Sequence, residues 1–453
     1  MRLFALFFVT TLLSQLVSAK KPSILFILTD DQALGTISGM GNKDISTPNI
    51  DHLMKQGSTF TNASNMGSWG GGICAPSRTM MFTSRFLWNA RKARRADYEH
   101  PLLTKVFKEA GYETYGTGKW HMETTGKMAN AFDHLLNQSP DEITLSKEDL
   151  TGFTPWDQSF GGFWEGDRHL TDITGDSAIK LLEQASAQEK PFFLYVGFNA
   201  PSSVFQFEEK EKNRFKIEEF RLPPNIMEKH FFITNKWPEE ITPKFVRKRY
   251  GDSFTMIEHL DQQVGRLLDT LKKSGQEENT IVTFLSDSGL SIGENGIIGN
   301  LNLYEKSLKA PLILAGPGVP SNKFNDTLVY LQDVMPTLMN LAQVEVPKFC
   351  EFRSFLPQMT GSEESRWEDI YGTYMGFMRS IRLDDYKLVV YSGKDRNLMR
   401  LNDLFEDPFE MNDLSEQAKM KPLIDDLLRR LQRWQTFSGS KMNIRDRFFK
   451  SAN

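Results

Sequence analysis

Short apolar runs recur along the chain and alternate with segments in which apolar residues return at helical spacing. The runs predict strands that are buried on both faces, and they cover residues 23–28, 191–198, 280–285 and 311–315. The helical patterns cover residues 49–56, 102–110, 172–187 and 250–274. Strands that alternate with helices predict an α/β fold with a large, mixed but mostly parallel sheet that is flanked by helices.

Acidic side chains follow two of the predicted strands directly. Asp30 and Asp31 come after the first run, and Asp287 comes after the run at 280–285. Ligands of open α/β sheets collect beyond the carboxyl ends of the strands, which is where these acids are expected to lie. An aspartate at a strand end is also a common turn residue, so its position alone does not assign chemistry.

Two other segments depart from the alternating pattern. Residues 208–249 are charged and interrupted by prolines, which predicts a long insertion over the sheet that helps to form a substrate rim. From about residue 370, short alternating segments and a final amphipathic helix at 422–435 predict a small antiparallel sheet with a closing helix. We therefore expect a catalytic domain at 20–365 and a C-terminal subdomain at 366–453.

Composition excludes several classes of protein. Apolar residues make up 40% of the 453 residues and charged residues 25%, which is typical of a globular chain and excludes collagenous or largely disordered proteins. Lys and Arg total 54 against 58 Asp and Glu, so the chain has no global basic field that would attract nucleic acid or a membrane surface. Any anion must be captured locally.

The first 19 residues have the pattern of a signal peptide: a basic start, an apolar run at 3–13, and small residues before Lys20. Export to the medium, a periplasm or a lysosome is expected, with no membrane span after cleavage. The alternative is an uncleaved anchor, but the run is shorter than the roughly 20 residues that span a bilayer. With only Cys74 and Cys350, stability must come from the core; the two cysteines are able to pair, but we do not expect a disulfide.

The densest chemical motif is Gly-Gly-Gly-Ile-Cys-Ala-Pro-Ser-Arg at residues 70–78. Glycines let a backbone approach a ligand closely, and Pro76 suits the first turn of a helix. Cys74 is then expected at a helix N-terminus, where the dipole lowers the pKa of a thiol and favours an anion. The plainer interpretation is a buried structural cysteine.

Residues 74–78 resemble the sulfatase signature, in which the cysteine of Cys-X-Pro-Ser-Arg is oxidised to formylglycine. Other blocks are similar to the same family in the same order, and they cover residues 29–32, 47–51, 57–60, 118–121, 279–282, 286–289, 302–305, 310–312 and 403–408. The resemblance extends over nearly the whole chain after the signal peptide. It implies an alkaline phosphatase-like fold and a sulfuric ester hydrolase.

The resemblance also implies roles for individual residues. Position 74 would carry the formylglycine, whose hydrated form attacks sulfur with one hydroxyl and expels the covalent sulfate with the other. A divalent metal, Ca²⁺ or Mg²⁺, would be held by Asp30, Asp31, Cys74, Asp287 and Ser288. Arg78 would support the diol, and Lys119 and His121 would contact the diol or the sulfate oxygens. The implied partners are a sulfated carbohydrate or small molecule, aryl sulfates included, and a formylglycine-generating or anaerobic maturation enzyme.

Three positions depart from the family's pattern, and each departure weakens anion handling. Ser288 stands where the family usually has His or Asn, and Ser202 stands where it often has a His near the leaving oxygen. Asn300 replaces a Lys whose ammonium binds sulfate. Ser202 and Asn300 remain the expected substrate-binding residues at their positions, together with Lys119.

Two hypotheses follow from these departures. In the first, the chain is an active sulfatase in which cations such as Lys306 or Lys309, or one from the insertion at 208–249, replace the missing contacts. In the second, it is a sulfatase-like pseudoenzyme or binding protein that keeps the fold and the cation. A phosphodiesterase or phosphatase of the same superfold is a third option, but those enzymes usually use Ser or Thr as the nucleophile. We favour the first because a drifting site has no reason to keep the signature.

Overall fold

The computed structural model describes residues 20–95, 98–122, 128–141, 154–160, 162–202, 204–233, 240–361, 367–393, 397–440 and 448. The predicted signal peptide, residues 1–19, lies outside the described residues. Within those ranges, no helix is both long enough and apolar enough to cross a membrane.

Strands and helices alternate through the first three quarters of the chain. The strands are β1 (Ser23–Thr29), β2 (Gly57–Phe60), β3 (Ala63–Ser64), β4 (Gly67–Ser68), β5 (Glu113–Gly118), β6 (His134–Leu136), β7 (Trp164–Glu165), β8 (Arg168–His169), β9 (Phe192–Gly197), β10 (Thr280–Ser286), β11 (Ser291–Ile292), β12 (Ile298–Gly299), β13 (Leu312–Ala315), β14 (Lys323–Asn325), β15 (Val329–Tyr330), β16 (Asp369–Tyr374), β17 (Met378–Leu383), β18 (Tyr386–Ser392) and β19 (Asn397–Asp403). The helices are α1 (Pro48–Gln56), α2 (Cys74–Thr83), α3 (Leu87–Ala90), α4 (Leu103–Glu109), α5 (Met128–Ala131), α6 (Leu170–Ser186), α7 (Pro243–Lys273), α8 (Glu305–Leu308), α9 (Val334–Leu341), α10 (Leu356–Thr360) and α11 (Lys421–Ser438).

The large sheet has the strand order β14-β2-β13-β10-β1-β9-β5-β6. Every neighbouring pair in it is parallel except the two pairs that involve β13, so the predicted mixed, mostly parallel sheet is confirmed. The run at 311–315, grouped with the parallel strands in the sequence, is the antiparallel strand. The chain leaves the sheet at the carboxyl end of β10 and re-enters it at that same end, so β13 runs antiparallel to β10.

Central strand β1 shows why these runs form a buried sheet. Its side chains alternate between two cores: Leu25 and Ile27 pack with α1, α6 and α7, whereas Ile24, Phe26 and Leu28 pack with α2, α4 and α9. Because both faces are covered, the strand is apolar at consecutive positions and shows no period-two pattern.

Two predicted boundaries differ from the structure. Helix α7 begins at Pro243, seven positions before the predicted start at Tyr250, because Thr242 caps it by accepting from the Phe245 N–H and Pro243 fits its first turn. The short alternating segments predicted from about residue 370 begin at Asp369 with β16, which pairs with β17 across a turn.

The C-terminal sheet has the order β19-β18-β17-β16-β4, and β4 comes from the segment just before Cys74. Helix α11 covers one face of this sheet through Leu427 and Leu431. The small antiparallel sheet with a closing helix is therefore confirmed, while the domain boundary near residue 365 stays a prediction. The added strand β4 ties this sheet to the candidate site.

Candidate active site

The predicted site residues converge beyond the carboxyl ends of the central strands. Asp30 and Asp31 follow β1, Lys119 follows β5, Ser202 follows β9, and Asp287 follows β10. Cys74 is the first residue of α2, which packs over the same edge. Four side chains, those of Asp30, Asp31, Cys74 and Asp287, each offer one ligand atom within 4.8 Å of the others.

A hydroxyl shapes the loop that leads to Cys74. Ser68 Oγ donates to the carbonyl oxygens of Gly70 and Gly72 and accepts from the Gly70 N–H at 3.0 Å. A Cβ at any of the glycines 70, 71 or 72 would meet no atom within 4 Å. The glycines therefore leave open space beside Cys74, as expected where a ligand approaches the backbone.

The Arg78 guanidinium lies at the centre of a buried charge network and is fully excluded from solvent. Its Nε is 2.8 Å from Asp287 Oδ2, and its Nη2 is 3.3 Å from Asp30 Oδ1. Nη1 donates to the Lys119 carbonyl at 2.9 Å and to Tyr195 Oη at 2.8 Å. Arg78 therefore fixes the two carboxylates relative to each other, a structural role beyond the predicted support of the nucleophile.

Lys119 supplies the second buried cation. Its Nζ lies 2.7 Å from Asp30 Oδ2. Burial alone would raise the pKa of Asp30, but Lys119 and Arg78 together hold that pKa well below its usual range. Asp30 is thus held ionised, which a ligand for a hard cation requires.

The three residues that depart from the family's pattern all contact one carboxylate, that of Asp31. Ser288 Oγ donates to Asp31 Oδ1 at 2.9 Å, Asn300 Nδ2 donates to the same oxygen, and Ser202 Oγ donates to Oδ2 at 3.3 Å. All three donors are uncharged. Burial, and then the negative charge of Asp30, raises the pKa of Asp31 to about 6.

The donor set fits a hard divalent cation. Asp30, Asp31 and Asp287 are fully or almost fully buried and present carboxylate oxygens to one small space, while only Arg78 and Lys119 offset their charge from within the same cluster. Ca²⁺ and Mg²⁺ are hard cations that proteins bind through oxygen ligands, above all carboxylates, grouped in one small space. The residues present therefore match the cation that was expected from the sequence.

The prediction of a lowered thiol pKa at Cys74 is wrong. Burial raises the pKa of this thiol well above its usual value, and Asp287, Asp30 and Asp31 raise it further against the opposing charge of Lys119. The thiol donates to Asp31 Oδ1 at 3.8 Å. The helix N-terminus is present as predicted, but burial and the three carboxylates oppose its dipole, so unmodified Cys74 is a neutral thiol and a poor nucleophile.

His121 lies at the border of the site, partly buried, with its backbone N–H donating to Asp141 Oδ1 at 2.7 Å. Its backbone is in the left-handed region, with φ of 48°. Burial and the charges of Lys119 and Arg78 lower the pKa of its imidazole to about 4. The ring is therefore neutral at neutral pH and offers one N–H and one lone pair.

Lys306 and Lys309 do not replace the missing cationic contacts. The Lys306 ammonium is 3.1 Å from Glu294, and the Lys309 ammonium is 3.0 Å from Glu305. Both lie on or beside α8, which packs behind the loop at Asp287, and both point to these glutamates. The compensation proposed from the sequence for these two lysines is wrong.

Sequence reasoning missed the polar residues that hold the site from behind. Asn65 Nδ2 and Ser77 Oγ both donate to the Asp287 carbonyl, at 2.6 and 2.8 Å, and Gln332 Nε2 donates to Ser77 Oγ at 3.2 Å. Tyr195 Oη donates to the Lys119 carbonyl. A hydroxyl-bearing residue within the apolar run at 191–198 was the available signal for Tyr195. For the others, no local pattern marked the contact.

Comparison with known proteins decides the family. The sulfatase family model matches residues 22–344, which include every predicted site residue. The chain belongs to the sulfatase family. A second model, for the C-terminal region of N-sulphoglucosamine sulphohydrolase, matches residues 293–436. Its range includes all four strands that the C-terminal sheet takes from the last quarter of this sulfatase.

Two relatives with named activities match most of the chain at low identity. An N-acetylglucosamine-6-O-sulfatase of Bacteroides thetaiotaomicron is 24% identical over an alignment of 502 positions, gaps included. The alignment covers 92% of this chain and 86% of the relative. An arylsulfatase of Clostridium perfringens is 25% identical over an alignment of 463 positions, which covers 89% of this chain and 92% of the relative. The sulfatases in this set therefore include both carbohydrate and aryl enzymes.

Solved structures confirm the fold. A protein in complex with its substrate D-glucosamine-2-N,6-O-disulfate superposes with a TM-score of 0.74 at 22% identity, covering 93% of this chain and 99% of the other. The phosphonate monoester hydrolase of Agrobacterium radiobacter superposes with a TM-score of 0.75 at 18% identity, covering 92% of this chain and 96% of the other. At these identities the likeness establishes the alkaline phosphatase-like architecture alone.

Proposed function

We propose that this sulfatase hydrolyses sulfate esters of carbohydrates, with a formylglycine made from Cys74 as its nucleophile and Ca²⁺ or Mg²⁺ beside it. One observation carries the proposal: in a chain of the sulfatase family, the signature cysteine lies within 4.8 Å of three buried carboxylates. A neutral, buried thiol is a poor nucleophile, so conversion of Cys74 to an oxygen nucleophile gives the motif a chemical purpose.

Three similarities support a carbohydrate substrate. A relative of similar length is an N-acetylglucosamine-6-O-sulfatase, and a structural neighbour was solved with a disulfated glucosamine. The match of residues 293–436 to the C-terminal region of N-sulphoglucosamine sulphohydrolase points the same way. Aryl sulfates are the second substrate class, supported by the arylsulfatase relative.

When present, a divalent cation would polarise the sulfate oxygens and a hydrated formylglycine would supply the attacking hydroxyl. Asp30, Asp31, Asp287 and position 74 would hold the cation. Ser288 would be the weakest metal ligand of this set, because it has a short hydroxyl where the family has a longer amide or imidazole. Its contact with Asp31 assigns it to orienting that carboxylate.

The remaining residues orient the reacting groups. Arg78 holds Asp30 and Asp287 in place, and Lys119 adds a second contact to Asp30. His121, neutral at neutral pH, would hold a proton at one ring nitrogen and accept one at the other, next to Lys119. Ser202 and Asn300 would offer uncharged donors where related enzymes place charged ones.

The second candidate is a sulfatase-like binding protein without turnover. The convergence of three neutral residues on Asp31 is the observation in its favour, because Asn300 and Ser202 stand where the resemblance implies a lysine and a histidine. The relatives favour the enzyme, since the two compared above are named as an N-acetylglucosamine-6-O-sulfatase and an arylsulfatase. Turnover distinguishes the two candidates.

The test compares two cysteine variants of protein from a host that makes formylglycine. We expect wild type and the matched control Cys350→Ala to release sulfate from N-acetylglucosamine 6-sulfate, and Cys74→Ala to be inactive. EDTA should abolish turnover, and added Ca²⁺ should restore it. No turnover by wild type that carries formylglycine, on either sugar or aryl sulfates, would establish the binding protein instead.

Export is part of the same proposal. The N-terminal pattern and the need for a maturation enzyme predict that the chain is modified before it leaves the compartment of synthesis, and that residues 1–19 are then removed. N-terminal sequencing of secreted protein should begin near Lys20. A start at Met1 would contradict cleavage.

A further inference from the structure

Five of the half-buried apolar side chains that pack on one buried cluster are here called the aromatic rim: Phe232, Ile233, Leu301, Met375 and Phe377. They pack on a buried cluster between α8 and the C-terminal sheet that includes Tyr374 and Tyr391. The Phe232 ring centre lies 6.4 Å from that of Phe377 and 5.1 Å from that of Tyr391. Two aromatic rings are therefore held together at a partly exposed surface.

The aromatic rim is connected to the catalytic cluster through two segments. Leu301 directly follows Asn300, whose side chain donates to Asp31. In the second segment, the Met375 N–H donates to the Ser68 carbonyl at 2.7 Å, and Ser68 Oγ holds the glycine loop before Cys74. The rim is therefore joined to the two segments that carry Asn300 and Cys74.

The rim is preorganised by a buried histidine. His230 Nδ1 accepts from the N–H groups of Phe232 and Ile233, at 3.0 and 2.8 Å. Its Nε2 lies 3.0 Å from Tyr304 Oη, on the segment that follows Leu301. Because the loop is tied to the catalytic domain through this ring, Phe232 is placed without the cost of ordering a mobile segment on binding.

The rim differs from the anion site in charge, because the two lysines that follow Leu301 are engaged by glutamates. Lys306 and Lys309, the next basic residues after Leu301, direct their ammonium groups to Glu294 and Glu305. An apolar, aromatic edge beside which Lys306 and Lys309 are already paired suits a ring with an apolar face better than a second sulfate or a polyanionic chain.

We infer that the aromatic rim is the subsite for the leaving group, and that it binds the apolar face of a ring attached to the sulfate oxygen. This inference rests on the proposed sulfate ester hydrolysis. A pyranose and an aryl ring share that face, so the shared chemistry is a six-membered ring stacked against Phe232 and Phe377.

Binding measured without turnover tests the rim independently of catalysis. In a Cys74→Ala background, calorimetry gives dissociation constants for N-acetylglucosamine 6-sulfate, 4-nitrophenyl sulfate and inorganic sulfate. Phe232→Ala and Phe377→Ala should each weaken the two ring esters by about 3- to 10-fold. Inorganic sulfate should bind unchanged, because it occupies only the anion end.

Matched variants guard against a folding artefact. Phe377→Tyr keeps the aromatic face and should bind like the parent, whereas Phe377→Leu keeps apolar volume and should weaken the ring esters. Phe324→Ala, which removes a 56% exposed phenylalanine on the distant edge strand β14, should change nothing. Loss with only one ring ester would identify the ring that the rim selects.

Two results would overturn the proposed subsite. In the first, both alanine variants bind both ring esters as tightly as the parent does. In the second, the variants weaken the binding of inorganic sulfate as much as that of the ring esters. Failure of the proposed function is a separate result: wild type that carries formylglycine would release no sulfate, while these binding differences would still be measurable.

Discussion

Arg78→Met should destabilise the metal-free protein strongly, and the reason is electrostatic. The cluster has three buried carboxylates, Asp30, Asp31 and Asp287, and two buried cations, Arg78 and Lys119. Removing the guanidinium leaves one cation for three acids and deprives Tyr195 Oη and the Lys119 carbonyl of a donor.

Breaking a buried ion pair by removing one partner typically costs about 3–5 kcal/mol, because the remaining charge is left uncompensated. We expect that loss in the free energy of unfolding. Tyr195→Phe is the matched control: it removes a hydroxyl from the same network but no charge, and should cost about 1 kcal/mol. The difference between the two variants isolates the charge.

Urea unfolding in EDTA, followed by circular dichroism, measures both losses. Repeating the titration with Ca²⁺ adds a second readout, because a cation bound to the folded state restores the missing positive charge. Arg78→Met should therefore gain more stability from Ca²⁺ than wild type gains. A loss below about 1 kcal/mol for Arg78→Met, or an equal gain from Ca²⁺ in both proteins, would refute this charge balance.

Three further predictions concern other residues. Burial lowers the pKa of His169 to about 3, and its Nδ1 caps α6 by accepting from the Thr171 N–H. Below about pH 6.5 the unfolded chain therefore binds a proton at this histidine, whereas the folded chain does not. The free energy of unfolding should fall towards acid pH by up to about 1.4 kcal/mol per pH unit. His169→Asn, which keeps a capping acceptor, should flatten that slope between pH 6.5 and 4.5 in urea titrations, and an unchanged slope would contradict the assignment. Ser288→Asn, whose longer amide reaches the cluster, should tighten Ca²⁺ binding about 10-fold by calorimetry, and unchanged or weaker binding would count against the metal site. Glu305→Gln, which removes the partly buried partner of one arginine and two lysines, should cost about 3–5 kcal/mol in urea unfolding. Exposed Glu345→Gln should cost almost nothing, and equal costs would show that this network is not stabilising.

Local pattern was sufficient for the elements that are apolar on both faces. The run at 23–28 became β1 because every side chain in it reaches one of two cores. The direction of β13 was not readable from its residues, because direction depends on where the connecting chain re-enters the sheet. The start of α7 was missed because the charged insertion was assigned up to residue 249, which concealed the cap at Thr242.

The site followed a similar division. The motifs identified Cys74, Arg78 and the three aspartates, and the fold brings these side chains together. Sequence did not reveal that Ser202, Ser288 and Asn300 meet at Asp31, since they lie on three separate segments. The same limit explains the wrong thiol pKa: the helix terminus is local in sequence, but the carboxylates that oppose it come from distant strands.

The chemical state of residue 74 tests the central claim most directly. Mass spectrometry of the tryptic peptide that contains it, from protein made in a host with the maturation enzyme, should show formylglycine in place of cysteine. A fully unmodified cysteine in protein from that host, in which a known sulfatase is converted, would contradict the account.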